Sequence, residues 1–442
     1  MSGSEFDLVV HNVRVVTVDA AGTVLDGGGV AVAGGRIAHV LPEAELTALL
    51  PRAARVVDGE GMILMPGIVN THCHAGDSLF RGLVEDLPLE AWLQKVWKAE
   101  GAILNAETSR LGSVLGFAEL LLSGVTTVMD MFWFPSETVS AARAVGMRVA
   151  TGGIFFDPPG VDHLSQDERV AAAEAFCAEF AGADDVFASV MPHGTYTVAP
   201  ENLKRARAVA DRHGALFCTH AAETRAEQAD IQNRYGRSII RHMEHHGLLD
   251  ERTVLAHCVH LDDEEIDILA RRKVTVSHNP VSNLKLASGI ARVPDMLAAG
   301  IRVTLGTDGA ISGNDLDMWM ALRLAAMLHK GASMRADVVS THQALAMVTR
   351  DGAAALGAEN RIGSLEPGKL ADMILIDMAR PHAVPMFDPV THLVFSTAKS
   401  DVRHVFLGGE QVVRDGRLTR LDIADTLAEV SAMTPRIAAT IA

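Results

Sequence analysis

Between residues 67 and 307 the sequence repeats one pattern about eight times. A short apolar run ends in polar residues and gives way to a helical stretch. The strand-like runs are residues 67–71, 126–131, 147–152, 186–191, 216–219, 253–256, 274–277 and 301–307, with helical periodicity between them, as at 107–122, 136–145, 167–180, 201–213, 264–271 and 293–299. Each pair is a βα unit, and repeating it lays the strands parallel. Eight units over roughly 250 residues match a (β/α)8 TIM barrel. A doubly wound open sheet is the alternative, but it gathers ligand-binding residues at one switch point. Here polar residues recur at the strand ends throughout, which favours the barrel.

The flanks have a different texture. Residues 7–10, 13–18, 29–32 and 36–40 are β-rich and punctuated by Gly27-Gly28-Gly29 and Gly34-Gly35, and similar runs return at 373–376, 402–407 and 410–413. Strand-rich ends around a closed middle imply a small β-sandwich built from both termini. The expected organisation is a composite sandwich from 1–62 and 365–420, a barrel over 63–364 and a C-terminal helix over 421–442.

Composition excludes several classes. Hydrophobic residues make up 48% and charged ones 21% of 442 residues, an ordinary globular balance rather than a disordered one. The net charge of −16 argues against a nucleic-acid partner, which needs basic patches to displace phosphate counterions. No apolar stretch reaches the roughly 18 residues of a membrane span. Residues 1–10 show no basic stretch followed by an apolar run, so no signal peptide is expected. Cys73, Cys177, Cys218 and Cys258 lack disulfide-like spacing, which points to reduced thiols and a cytoplasmic protein.

The polar strand ends carry chemistry. The first ends in Thr71-His72-Cys73-His74, and residues i and i+2 on a strand share a face, so both imidazoles can reach one ion. Alone such a pair is a weak signal. The fifth run, however, ends at His220, the sixth at His257 and the eighth in Gly306-Thr307-Asp308-Gly309. All five candidates fall where barrel enzymes place their active sites. Imidazole nitrogen and carboxylate oxygen suit zinc, with iron(II) a near competitor, and leave room for a water whose pKa drops to about 7. Glu223, in His220-Ala221-Ala222-Glu223, is an uncommitted acid placed to shuttle a proton; the alternative is a helix N-terminal acid favoured by the macrodipole.

Three further runs carry a resemblance: His257-Cys258-Val259-His260, Ser277-His278-Asn279-Pro280-Val281-Ser282-Asn283-Leu284-Lys285-Leu286, and Gly306-Thr307-Asp308-Gly309-Ala310. With Met65-Pro66-Gly67-Ile68-Val69-Asn70-Thr71-His72-Cys73-His74 and residues 363–377, the chain resembles the amidohydrolase superfamily over nearly its whole length. Within it, the chain is most similar to the methylthioadenosine/S-adenosylhomocysteine deaminase and triazine hydrolase branch. The resemblance implies that His72, His74, His220 and Asp308 bind the metal and that Asp308 relays a proton to the leaving ammonia. It implies that Glu223 protonates a ring nitrogen, that His257 orients the hydroxide, and that His193 contacts substrate. Ser312 stands where similar enzymes keep a pocket serine, with a plain loop role as the alternative. Two-metal relatives often bridge their ions with a carboxylated lysine, and no lysine occurs between Lys98 and Lys204. One divalent ion per chain is therefore expected.

The same resemblance makes Glu100 a ribose-binding carboxylate, with a solvated helix acid as the alternative. Relatives that take S-adenosylhomocysteine hold its carboxylate with arginines after the third strand. Here Thr151-Gly152-Gly153 stands at the first such place, and no arginine lies between Arg148 and Arg169. The expected reaction is deamination of an aminopurine nucleoside or related heterocycle. Triazine-type hydrolysis, free-base deamination and a non-catalytic scaffold are the alternatives. Relatives often form dimers or larger assemblies, and the sequence leaves that open. In Met131-Phe132-Trp133-Phe134, Trp133 and its neighbours offer rings that could sandwich a flat heterocycle, or simple lid packing. His278 is either a rim residue or a turn cap. His242, His245 and His246 are expected to be solvated, and Cys73 and Cys218 to pack as small hydrophobes.

Overall fold

The computed structural model describes residues 4–441. Met1, Ser2 and Gly3 of the expected N-terminal unit and Ala442 of the expected C-terminal helix lie outside the described residues. The chain begins with β1 (Leu8–Val16), β2 (Val24–Ala33), β3 (Arg36–Pro42), β4 (Val56–Asp58) and β5 (Ile63–Pro66). The barrel strands follow: β6 (Ile68–Cys73), β7 (Val125–Asp130), β8 (Arg148–Phe155), β9 (Val186–Pro192), β10 (Leu216–Ala221), β11 (Thr253–His257), β12 (Thr275–His278) and β13 (Arg302–Leu305). The chain then closes with β14 (Met373–Ile376), β15 (Val402–Leu407), β16 (Glu410–Arg414) and β17 (Arg417–Leu418).

The terminal strands form one nine-stranded sheet, ordered β17-β16-β15-β14-β5-β1-β2-β3 with β4 beside β1. Leu8 and Val10 of β1 join Leu64, Met373 and Phe406 in its main core, while Val9 between them packs with Ala31 and Leu46 on the other side. That alternation is the period of a strand covered on both faces, and it makes the expected small sandwich. Residues 63–66, expected at the start of the barrel, instead form β5 of this sheet. Their partner is β14, with Ile63 opposite Ile376 and Leu64 opposite Leu375. Because that partner lies at the far end of the chain, nothing local marks the boundary.

The remaining eight strands pair in sequence order, with parallel registers from β6 to β13. The ends of this sheet meet and close a (β/α)8 barrel. Asn70 Nδ2 donates to Thr307 Oγ1 at 2.8 Å, Thr71 Oγ1 lies 2.7 Å from Thr304 Oγ1, and the Asp308 amide donates to the His72 carbonyl at 3.0 Å. Glycine is required at 306, where a Cβ would fall 2.4 Å from Asn279 Oδ1 and 2.8 Å from the His72 carbonyl. The seam thus draws the His72 and Asp308 strand ends together.

A buried ion pair ties barrel to sandwich. Arg148, at the start of β8, donates from Nε and Nη2 to Asp372 Oδ2 and Oδ1 at 2.6 and 3.0 Å, and the Gly408 amide donates to Oδ1 at 2.7 Å. Removing one partner of such a pair leaves an uncompensated buried charge. Asp372→Ala should therefore destabilise the protein by about 3–5 kcal/mol, read as an earlier chemical-unfolding midpoint with the same slope. An unchanged midpoint would show that the clasp contributes nothing.

One expectation about surface chemistry is overturned. The helix Ile239–His245 turns Ile239, Ile240, His242 and Met243 inward. His242 is 1% exposed, stacks on Tyr235 with ring centroids 4.5 Å apart, and is pushed down to about 4 chiefly by burial. Its helical face, set by the apolar neighbours, decides this. His245 is exposed and His246 half-buried. The C-terminal helix Ala424–Ala438 packs Val430, Met433 and Ile437 onto an apolar cluster at the barrel mouth that includes Leu79, Trp92 and Ile311. Among the described residues no helix is long and apolar enough to cross a membrane.

Candidate active site

His72, His74, His220 and Asp308 converge, each offering one ligand atom, and these atoms lie within 4.8 Å of one another. His72 Nε2 and His74 Nε2 approach Asp308 Oδ1 at 3.3 and 3.2 Å, and His74 Nε2 lies 3.2 Å from His220 Nε2. The tautomers of two rings follow from their other nitrogens. His74 Nδ1 donates to the Met131 carbonyl and His220 Nδ1 to the His193 carbonyl, both at 2.6 Å. When both rings are neutral, each Nε2 is left with a lone pair, and the two lone pairs face each other. That neutral arrangement is repulsive unless a proton or a metal cation sits between them, and a backbone carbonyl on the far nitrogen is how metal-binding histidines are oriented.

Burial pushes His72 down to about 4 and holds His220 well below the ordinary range, so both are neutral, the ligating form. In His74, burial opposes protonation but the Asp308 carboxylate outweighs it and raises the ring to about 10. Positive charge is thus drawn to the point where the four donors meet. The donor set, three imidazoles and a carboxylate, fits zinc or iron(II).

The surrounding groups are fixed in turn. Asp308 Oδ2 accepts hydrogen bonds from Ser282 and Ser312 at 2.6 and 2.8 Å. His257 gives its Nδ1 proton to Asn283 Oδ1 at 2.9 Å, leaving Nε2 3.7 Å from Glu223 Oε2. Glu223 is 5% exposed, and burial raises its carboxyl above the usual range, with the Asp308 charge adding to the effect. Ala222, His257, Cys258 and Asp308 all have positive φ, between 46° and 74°. Strain of this kind costs about 1–3 kcal/mol per residue and persists where surrounding structure enforces it, typically at functional sites.

These residues open onto a cavity at the barrel mouth. Its apolar walls include Trp97, Trp133 and Phe156, whose ring stands edge-on to both indoles and to His193 at 5.4–5.6 Å. Glu100 also lines it, buried on the helix Leu89–Ile103, and accepts from Trp133 Nε1 at 3.3 Å. Burial raises Glu100, and burial together with the Glu100 charge raises its neighbour Asp77 well above the ordinary range. Sequence reasoning missed Asp77, although it lies three residues after His74, and missed Trp97, three residues before Glu100 on one helix. Ser282 and Asn283 stood inside a recognised motif without an assigned task. Four carboxylates line the cavity, and among the described residues no lysine or arginine does.

His193 sits in the wall, its Nδ1 2.9 Å from Thr197 Oγ1, and burial pushes it down to about 3. His278 stays out of the cluster and instead meets His329, Nε2 to Nε2, at 3.3 Å. Cys73 and Cys218 are free, buried thiols; burial drives Cys73 far up and Cys218 to about 12, so both pack as inert apolar groups.

A closed barrel with three histidines and an aspartate converging at its strand ends is the scaffold of a barrel enzyme with a candidate metal centre. The amidohydrolase family profile matches residues 63–412, and the chain belongs to that family. It is 40% identical over 431 residues to a 5-methylthioadenosine/S-adenosylhomocysteine deaminase of Syntrophobacter fumaroxidans, covering 97% of this chain and 98% of that one. It is 38% identical over 423 residues to a 5'-deoxyadenosine deaminase of Methanosarcina acetivorans, covering 94% and 95%. Among solved structures, a zinc-bound adenosine deaminase from Xanthomonas campestris superposes with a TM-score of 0.96 at 33% identity, covering 98% and 99%.

Proposed function

We propose that this chain hydrolytically deaminates an aminopurine nucleoside, releasing ammonia. The observation that carries the reading is a buried Glu223, its carboxyl raised by burial above the usual range, in the same cavity as the His/Asp cluster. One zinc or iron(II) ion held by His72, His74, His220 and Asp308 would lower the pKa of a water towards about 7. Glu223 gives its proton to a ring nitrogen, which makes the adjacent carbon electrophilic. Asp308 takes one proton from the attacking water and passes it to the departing amino group. Glu223 recovers the water's second proton as the adduct collapses to the carbonyl, so the acid is restored. His257, oriented by Asn283, directs the attacking oxygen. Ser312 holds Asp308 through its hydroxyl.

Trp133, Phe156 and His193 supply flat walls for a heterocycle, and Glu100 is assigned to the ribose, whose paired hydroxyls suit a carboxylate's two acceptor oxygens. Among the described residues lining the cavity, no lysine or arginine stands ready to pair with a 5′ group bearing a carboxylate. Arg148 is committed to Asp372, and Arg169 is held by both Asp162 oxygens at 2.7 Å while covering the Trp133 ring. A missing charge-assisted contact is worth about 1.5–3 kcal/mol. Adenosine and methylthioadenosine should therefore exceed S-adenosylhomocysteine in kcat/KM by roughly 10–150-fold, measured as ammonia release. A clear preference for S-adenosylhomocysteine would refute this specificity. Inactivity on all three would refute the nucleoside reading in favour of triazines, pterins or free bases. We also place the enzyme in the cytoplasm, on its four free, buried thiols.

A further inference from the structure

Glu223 is held from outside its own loop. Ser288, 5% exposed, donates from Oγ to Glu223 Oε1 at 3.1 Å, and its carbonyl accepts from His260 Nε2 at 2.8 Å. His260 is anchored in turn, its carbonyl accepting from Gln228 Nε2 at 2.7 Å. The next residue permits the close approach. Gly289 has φ +129°, and a Cβ there would lie 3.0 Å from Val259 Cγ1 and 3.6 Å from His260 Cε1. The segment carrying Ser288 is thus clamped onto the chain just after His257. The two Glu223 oxygens consequently differ: Oε1 faces the serine hydroxyl, and Oε2 faces His257 Nε2 at 3.7 Å.

We propose that Ser288 is a positioning residue for the acid: by donating to Oε1 it keeps the transferable proton on Oε2, the oxygen on the His257 side. The inference rests on the deaminase reading of Glu223. The titratable groups around this carboxyl are His257, Asp308, His74, Glu227 and Tyr196. None of them occupies Oε1 as Ser288 does.

Ser288→Ala should lower kcat by about 10–100-fold while KM stays within about twofold. Ser288→Thr, which retains the hydroxyl, should recover most of the loss. The alkaline limb of the kcat profile, where Glu223 loses its proton, should move to higher pH in Ser288→Ala, because a hydrogen bond favouring the carboxylate is gone. A loop that only fills space would raise KM, leave that limb in place and gain nothing from threonine. A second readout needs no turnover. In metal-loaded protein, the infrared carbonyl band of protonated Glu223, assigned by its loss in Glu223→Gln, should shift on Ser288→Ala. An unmoved band overturns the proposal. A shifted band in a protein inactive on every nucleoside would sink the deaminase reading while leaving the Ser288 contact standing.

Discussion

Glu223→Gln should yield a folded, metal-loaded protein whose turnover is lower by roughly 10²–10⁴-fold, the scale of general acid–base catalysis. The substitution is nearly isosteric and keeps an oxygen to receive the Ser288 hydroxyl, and none of the four converging metal donors is touched. What it removes is the proton. Burial, reinforced by the Asp308 charge, favours the neutral acid at this position. The sign of the pH dependence follows: activity that needs the protonated form is full below the raised Glu223 pKa and is lost as pH rises through it. In Glu223→Gln that alkaline limb should vanish along with the rate. Metal analysis and a pH–rate profile check both parts. Near wild-type turnover would mean that Glu223 is a loop acid without a chemical role.

Chelation should have an effect at least as large. Without the ion only a proton on His74, whose ring the Asp308 carboxylate raises to about 10, separates the Nε2 atoms of His74 and His220, and water returns to a pKa of about 15.7 rather than about 7. Turnover should fall to background, and about one equivalent of zinc or iron(II) per chain should restore it. One ion is expected because no lysine lines the cavity among the described residues, which leaves no amine to bridge a pair. Binding to the folded state alone also raises stability, so the metal-free protein should melt earlier. Activity requiring two equivalents would refute the single-ion reading, and full activity after exhaustive chelation would refute metal dependence. Asp308 is the residue to watch. Burial would raise it, yet the hydrogen bonds and charges of His72 and His74 hold it well below the ordinary carboxylate range, so it is ionised before any ion arrives.

Much of this site was legible in the sequence because its signals are local. A strand alternates every two residues, so His72 and His74 announce one face. The βα repeat places His220, His257 and Asp308 at strand ends, and barrel geometry brings strand ends together whatever the loops contain. Glu223 was readable for the same reason, three residues past a strand-end histidine. The barrel and the sandwich shared by both termini were likewise written in periodicity.

Other features exist only because distant segments meet. The pairing of β5 with β14, the burial of His242 against Tyr235 and the charge coupling of Asp77 with Glu100 have no local signature. Nor does the reach of Ser288 to Glu223, across 65 positions. Hydrophobic pattern specifies which face of an element is buried, and so it determines the scaffold and the ends of its strands. Which polar atom meets which inside the barrel mouth depends on how loops of different strands pack over one another. That is settled by sterics and hydrogen-bond satisfaction in three dimensions, and only the tertiary structure decided it.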